Sequence, residues 1–309
     1  MNLSNELNRV FIFGDSWMEG QGTFEIETLT EWNNQYQFDP DSTHPNCIGV
    51  KRKKESWNKF FKERYNDIEV QNYAHQGSSN YHQFEKFNEL LNFQKITDND
   101  LILFGLTSKW RDTPRTIDYP FKHLFSNKSN EYYIPRGPDG SLQLGSAILN
   151  KPNITREGWP KSEPNSFTIK DMSPFEKYFL TTIFDENVYE KIAQTNYLFY
   201  QTYAKEHNLN ILFFDLFDNY VNINKCKSDY IPLIDKNMYI TFGKETYLEK
   251  LIQYELDNYD DMKADDYTVW EKQGGEIFAK FPKVGDDVHP NQFGYKVMFD
   301  DIVTYINKI

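Results

Sequence analysis

A chain of 309 residues is long enough for one large domain or two smaller ones, and it can bury a substantial core without metals or disulfides. Its 46 acidic and 34 basic residues give a formal net charge of -12, so we expect no nucleic-acid partner. One dense basic run, residues 51–54 (KRKK), precedes a helical pattern, and we expect it to form a solvated face.

Four short apolar runs are typical of buried strands. They cover residues 9–14, 67–73, 100–105 and 209–215. Amphipathic patterns between and after these runs predict helices. The helical patterns cover residues 55–65, 80–94, 185–207 and 291–308. Because strands alternate with helices, we predict an α/β protein with a mostly parallel sheet that is covered on both faces.

Three long stretches interrupt this alternation. Residues 20–54, 112–184 and 216–283 are rich in Pro, Asn, Asp and aromatic residues, and loops of this length are uncommon unless they are functional or carry elements of their own. No linker-like composition separates them from the core, so we interpret them as insertions into a single domain over residues 1–309. Residues 165–170 (NSFTIK) are a candidate for a fifth strand.

We expect neither a membrane segment nor a disulfide framework. No stretch approaches the roughly 18 apolar residues of a transmembrane helix, and residues 1–9 (MNLSNELNR) lack the apolar stretch of a signal peptide. The two cysteines, Cys47 and Cys226, lie far apart and lack metal-ligand spacing. These observations predict a cytoplasmic protein, or one carried in a virus particle assembled there, with no membrane partner.

Residues suited to catalysis follow the predicted strands. Ser16 comes after the first strand, Gly77 comes after the second, and the third leads into residues 104–111 (FGLTSKWR). Residues 285–295 (GDDVHPNQFGY) open the last predicted helix. Ligands of parallel sheets bind beyond the carboxyl ends of the strands, where loops from different strands converge. We therefore expect these segments to form one site.

Three of these segments carry a family signature. Residues 14–16 (GDS), Gly77 with Asn72 upstream, and residues 286–294 (DDVHPNQFG) match three of its four blocks. The chain thus resembles the SGNH hydrolases, also called the GDSL esterase and lipase family. The resemblance implies a three-layer α/β/α sandwich with a flavodoxin-like, mostly parallel sheet of about five strands. It also implies hydrolysis of a carboxylic ester with no cofactor or metal.

The third block departs from the family pattern. The family usually has Gly-x-Asn-Asp there, and its Asn donates to the oxyanion, whereas this chain has residues 105–108 (GLTS). The hydroxyl of Thr107 can donate one hydrogen bond in place of the amide, although losing an oxyanion donor costs about 10² to 10³ in rate elsewhere. Arg111 is a candidate for binding an anionic group or for supporting the oxyanion.

The residue types agree with this chemistry. A serine hydroxyl is a poor nucleophile near neutral pH and needs a base within reach, so we predict that Ser16 attacks and that His289 accepts its proton. Asp286, three residues before His289, is the predicted orienter of the imidazole, and Asp287 is the alternative. Backbone amides of Ser16 and Gly77, together with Thr107, form the predicted oxyanion hole.

Other interpretations of these residues stay open. Asp15 is expected to brace its loop, and Asp15, Ser108 and Arg111 are assigned to the substrate side of the site. Ser16 could instead be a helix N-cap, Gly77 a turn residue, and Arg111 one partner of a surface ion pair. Two histidines beside Gly77, His75 and His82, lack the additional ligands that a metal site requires.

The substrate class is the least determined part of the interpretation. The aromatic residues of the insertions are compatible with stacking on sugars, so a small-molecule ester or an O-acetyl group on a glycan is the predicted substrate. An acyltransferase with the same catalytic residues is one alternative. A non-catalytic binding or structural protein of a virus particle is another, and the altered third block is its only support. The oligomeric state stays open.

Overall fold

A computed structural model describes residues 7–20, 48–66, 68–75, 78–107, 186–217, 220–221, 229–251, 290 and 292–308 of the chain. Its sheet has four parallel strands in the order β2-β1-β3-β4. The strands are β1 (Arg9–Phe13), β2 (Glu69–Asn72), β3 (Asp100–Leu106) and β4 (Asn210–Asp215). The α/β architecture with a parallel sheet, predicted from the alternating patterns, is therefore confirmed.

Six helices have defined bounds in the described part of the chain. They are α1 (Ser16–Glu19), α2 (Ile48–Glu55), α3 (Trp57–Arg64), α4 (Asn80–Phe93), α5 (Glu186–His207) and α6 (Gln292–Ile306). Two short 3-10 helices cover Ile231–Leu233 and Lys236–Met238. Among the described residues, no helix combines the length and apolar character needed to cross a membrane.

Alternate side chains of the strands enter two separate apolar clusters. On one face, Val10 and Ile12 of β1 pack with Trp57 of α3 and Met298 of α6. On the other face, strand residues pack with α4 and α5. The second cluster is rich in aromatic side chains. The ring centroid of Phe104, for example, lies within 5.5 Å of those of Phe13, Phe84, Phe87 and Phe213. Because β1, β3 and β4 are buried on both faces, these three strands appear as nearly continuous apolar runs in the sequence, whereas β2 (EVQN) is partly exposed.

The region around α2 differs from the sequence prediction in two ways. The helix predicted over residues 55–65 begins at Trp57, because Ser56 has non-helical backbone angles and Glu55 ends α2. The helix α2 itself begins within the predicted insertion 20–54. The basic run 51–54 was expected to be solvated, yet Arg52 is buried and its guanidinium lies 3.6 Å from the carboxylate of Glu19. That part of the prediction is wrong.

The outer edge of β4 is partly paired by residues of the predicted insertion 216–283. Tyr239 forms an isolated parallel bridge with Phe213, and the amide of Ile240 donates to the carbonyl of Phe213 at 2.8 Å. Residues 165–170, the candidate fifth strand, lie outside the described residues.

An ion pair between half-buried Arg9 and buried Asp100 joins the amino ends of β1 and β3. The guanidinium of Arg9 donates to both carboxylate oxygens of Asp100, at 2.9 and 2.6 Å. Burial by itself raises the pKa of Asp100, but hydrogen bonds from Arg9 and Thr97 outweigh it and hold the pKa below its usual value. Ionised Asp100 therefore stabilises the fold above its unfolded pKa, and this contribution is lost as the pH falls through its folded pKa.

We expect Arg9→Met to lower the free energy of unfolding by about 3 kcal/mol near neutral pH, because it leaves a buried carboxylate without its cation. The loss should shrink as the pH falls below about 4, the usual pKa of an aspartate in an unfolded chain, because the unfolded chain then takes up a proton and wild type loses the contribution of its ionised Asp100. Denaturant unfolding of wild type and variant, at neutral and at acidic pH, measures the loss of unfolding free energy. The control, Lys86→Met, breaks an exposed pair with Glu89 and should cost under about 1 kcal/mol. Equal losses in the two variants would contradict this account.

Candidate functional site

The strand order places a topological switch point beside β1. The chain passes from β1 to β2 on one side and reaches β3 and β4 on the other, and open parallel sheets bind ligands at the carboxyl edge of such a point. Ser16 follows β1 and Thr107 follows β3, two strands that pair directly, with Phe13 opposite Phe104. The fold therefore brings these two predicted site residues to the same edge.

Ser16 begins a one-turn helix directly after β1. Asp15 is the N-cap of α1, and its Oδ1 accepts a hydrogen bond of 2.9 Å from the amide of Trp17. The alternative that Ser16 itself caps a helix is therefore wrong. Ser16 is 3% exposed and Asp15 is fully buried, so a buried carboxylate holds the turn that presents the serine.

Glycines allow the close packing at both ends of this turn. A Cβ on Gly14 would lie 2.6 Å from Cβ of Met18 and 2.8 Å from the carbonyl oxygen of Gly105. Gly20 has a φ of +100°, and a Cβ there would lie 2.6 Å from the carbonyl oxygen of Arg52. Larger residues at either position would push α1 away from the sheet and from α2.

The carbonyl groups of α1 are held by side chains from neighbouring elements. The bonds are Trp57 Nε1 to Trp17 O (3.2 Å), Asn72 Nδ2 to Met18 O (2.8 Å) and Ser56 Oγ to Glu19 O (3.4 Å). Asn72 also accepts a hydrogen bond of 2.9 Å from the amide of Ala74. It thereby joins the Ser16 turn to the loop after β2, in which Gly77 was predicted to act.

Residues on either side of position 77 form hydrogen bonds with Gly14, which follows β1. The amide of His75 donates to the carbonyl of Gly14 at 3.1 Å, and the amide of Gly14 donates to Oε1 of Gln83 at 3.0 Å. Gln83 also donates to Ser78 Oγ, which lies 2.6 Å from Nδ1 of His82. Ser78 and His82 are thus a serine and a histidine in contact near the predicted site, and Ser78, like Ser16, is buried.

Thr107 is the centre of a buried network at the carboxyl edge. Its amide donates to Oδ1 of Asn80 at 2.8 Å, and its carbonyl accepts from Nδ2 of Asn80 at 3.1 Å and from the hydroxyl of Tyr220 at 2.7 Å. Its own hydroxyl donates to Oδ2 of Asp15 at 2.7 Å. The sequence prediction gave this hydroxyl to the oxyanion, whereas in the structure it is donated to the N-cap of α1.

Tyr295 is a buried phenol close to the charged residues of the Ser16 turn. The pKa of Tyr295 is raised well above its usual value, first by burial and then by the carboxylates of Asp15 and Glu19, whereas Arg52 acts in the opposite direction. Tyr295 therefore stays a neutral phenol at every pH at which the protein would be assayed.

Several predicted site residues lie outside the described residues, namely Gly77, Ser108, Arg111, Asp286 and His289. Of the other predicted residues, Asp15, Ser16 and Thr107 lie together. Pro290, which follows His289, is buried. Sequence reasoning missed Asn80, Gln83 and Tyr220, whose polar side chains hold the loops. In the sequence, only the start of a helix at residues 78–80 (SSN) could have indicated that Asn80 has a structural role.

No family model, curated protein or solved structure matches this chain. No group of His, Cys, Asp or Glu suited to a metal ion occurs within the described ranges. The fold and the site alone therefore define the class, which is an α/β protein with a serine-bearing turn at the carboxyl edge of a parallel sheet.

Proposed function

We propose that this chain is a serine hydrolase of the SGNH type that cleaves a carboxylic ester. The observation that carries the proposal is the placement of Ser16 on a one-turn helix at the switch point between β1 and β3. Side chains from α3, from β2 and from Thr107, which follows β3, hold that turn or its N-cap. A nucleophile needs such fixed geometry, because a displacement of about 1 Å can cost a factor of about 10² in rate.

The proposed reaction has two steps. In the first, Ser16 Oγ attacks the carbonyl carbon while His289 takes the hydroxyl proton, and the alcohol leaves with that proton. In the second, His289 deprotonates a water molecule that attacks the acyl carbon, and the bond to Ser16 Oγ breaks as His289 returns the proton to Oγ, which releases the acid and restores the Ser16 hydroxyl. Asp286 holds the imidazole in the required tautomer, and the amides of Ser16 and Gly77 stabilise the oxyanion.

The finer architecture belongs to the same proposal. We infer a three-layer sandwich, a flavodoxin-like sheet and a single domain, because the observed strand order is the one that flavodoxin-like sheets share up to their fourth strand. The bridge between Phe213 and Tyr239 occupies the edge at which a fifth strand would be added. This supports a fifth-strand position near residue 239 rather than at residues 165–170.

The proposed substrate is a small ester or an O-acetylated glycan, and no cofactor takes part. An acyltransferase would form the same acyl-enzyme and pass the acyl group to an alcohol instead of water. The two reactions differ in their products, because hydrolysis releases one free acid for each alcohol that leaves the ester, whereas acyl transfer releases that alcohol without free acid.

The full-length chain is expected to hydrolyse p-nitrophenyl esters, with release of equal amounts of p-nitrophenol and free acid. A series of acyl chain lengths, followed by an acetylated oligosaccharide, would define the acyl pocket. If less free acid than p-nitrophenol is released, and the acyl group appears on an added alcohol, the chain is an acyltransferase instead. Rates equal to those of buffer for every ester would contradict the proposed function.

A further inference from the structure

Both oxygens of the Asp15 carboxylate are engaged at the Ser16 turn. Oδ1 accepts the amide of Trp17 at 2.9 Å, and Oδ2 accepts the hydroxyl of Thr107 at 2.7 Å. Asp15 is fully buried and Thr107 is 1% exposed. A hydrogen bond from a hydroxyl to a carboxylate at this distance is charge-assisted and stronger than a neutral one, so the plane of the carboxylate is fixed from two sides.

Thr107 is itself fixed by the loops after the other strands. Asn80, at the start of α4, bonds both the amide and the carbonyl of Thr107, and Tyr220, beyond β4, bonds the same carbonyl. Asn80 also donates to the hydroxyl of Tyr220 at 2.9 Å. A continuous buried network therefore links segments that follow all four strands and ends on the N-cap of α1.

We propose that Thr107 is a positioning residue, whose hydroxyl orients Asp15 and through it the Ser16 turn, rather than a donor to the oxyanion. The proposal rests on the proposed function for its catalytic consequence, although the structural part stands without it. To serve the oxyanion, the hydroxyl would have to withdraw from a buried carboxylate, which costs more than withdrawal from water because the charge is desolvated.

The direct test is Thr107→Val, which keeps the side-chain shape and removes the donor. We expect kcat for p-nitrophenyl acetate to fall about 10- to 100-fold with KM little changed, because the nucleophile is misplaced while the rest of the site is kept. Thr107→Ser, which restores the hydroxyl, should return kcat close to the wild-type value. The matched control is Thr241→Val, which removes another buried threonine hydroxyl, bonded to the amide of Asp215, and should leave kcat unchanged.

A double-mutant cycle separates positioning from oxyanion stabilisation. Asp15→Ser keeps an N-capping hydroxyl but removes the acceptor that Thr107 uses. If Thr107 acts through Asp15, adding Thr107→Val to Asp15→Ser should lower kcat little further. An equal loss from Thr107→Val in both backgrounds, or full kcat in Thr107→Val alone, would overturn the proposal.

Hydrogen exchange provides a readout that needs no activity. Peptides covering residues 14–20 should exchange faster in Thr107→Val than in wild type, because the cap on the amide of Trp17 loosens, and Thr241→Val should exchange there as wild type does. Unchanged exchange in Thr107→Val would overturn the proposal even if the protein is an active esterase. An inactive wild type with faster exchange in Thr107→Val would overturn the proposed function alone.

Discussion

Ser16→Ala is expected to lower kcat for ester hydrolysis by about 10⁴- to 10⁶-fold, because it removes the atom that forms the acyl-enzyme. The fold should survive, since the N-cap belongs to Asp15 and the carbonyls of α1 are bonded by Trp57, Asn72 and Ser56. Initial rates with p-nitrophenyl acetate, measured beside a thermal melt, would separate loss of chemistry from loss of structure.

The control is Ser78→Ala, which tests a different serine, one that contacts a histidine in the structure. Ser78 accepts a hydrogen bond from Gln83 and lies 2.6 Å from His82 Nδ1, so its loss should disturb the loop and cost at most about 10²-fold. A larger loss in Ser78→Ala than in Ser16→Ala would transfer the nucleophile to Ser78. Equal rates for wild type and Ser16→Ala would show that Ser16 is not the nucleophile.

Asp286→Asn is expected to lower kcat by about 10⁴-fold, since an amide in place of the orienting carboxylate stabilises the wrong tautomer of the histidine. Asp287→Asn is the matched control, because it makes the same change of charge at the adjacent position. It should keep most of the activity if the carboxylate three residues before His289 is the orienter. Rates at several pH values would show whether the remaining activity depends on hydroxide.

The outcome that would contradict this assignment is a reversal of the two effects. A large loss in Asp287→Asn with little loss in Asp286→Asn would make Asp287 the orienter, as the sequence left open. Full activity in both variants would leave His289 without a carboxylate partner from this segment, and the triad would have to be abandoned.

Much of the fold could be predicted from the sequence because β1, β3 and β4 are buried on both faces. The runs at residues 9–14 and 100–105 contain little except apolar residues, and the structure places strands there with bounds that differ by one residue. The break at Ser56 was not predicted, and its hydroxyl donates to the carbonyl of Glu19, a residue distant in the sequence. The burial of Arg52 was equally inaccessible, because its partner Glu19 is distant in the sequence.

The sequence predicted that Ser16 and Thr107 lie at one edge of the sheet, but not the hydrogen bond that joins Thr107 to Asp15. The tripeptide at residues 14–16, placed at the end of a strand, correctly located a buried turn at the carboxyl edge. The role of the Thr107 hydroxyl could not be deduced, because a hydroxyl has one donor and its direction is set by whichever acceptor packs nearest. That acceptor is Asp15, which only the pairing of β1 with β3 brings within reach.

Covalent labelling tests the central claim most directly, because it reports the nucleophile without requiring the natural substrate. The full chain would be treated with a fluorophosphonate, its intact mass measured, and the adduct located by peptide mapping. The account predicts one adduct per chain, on Ser16, which is absent from Ser16→Ala and present in Ser78→Ala. No adduct on the wild-type protein, or an adduct on a residue other than Ser16, would contradict it.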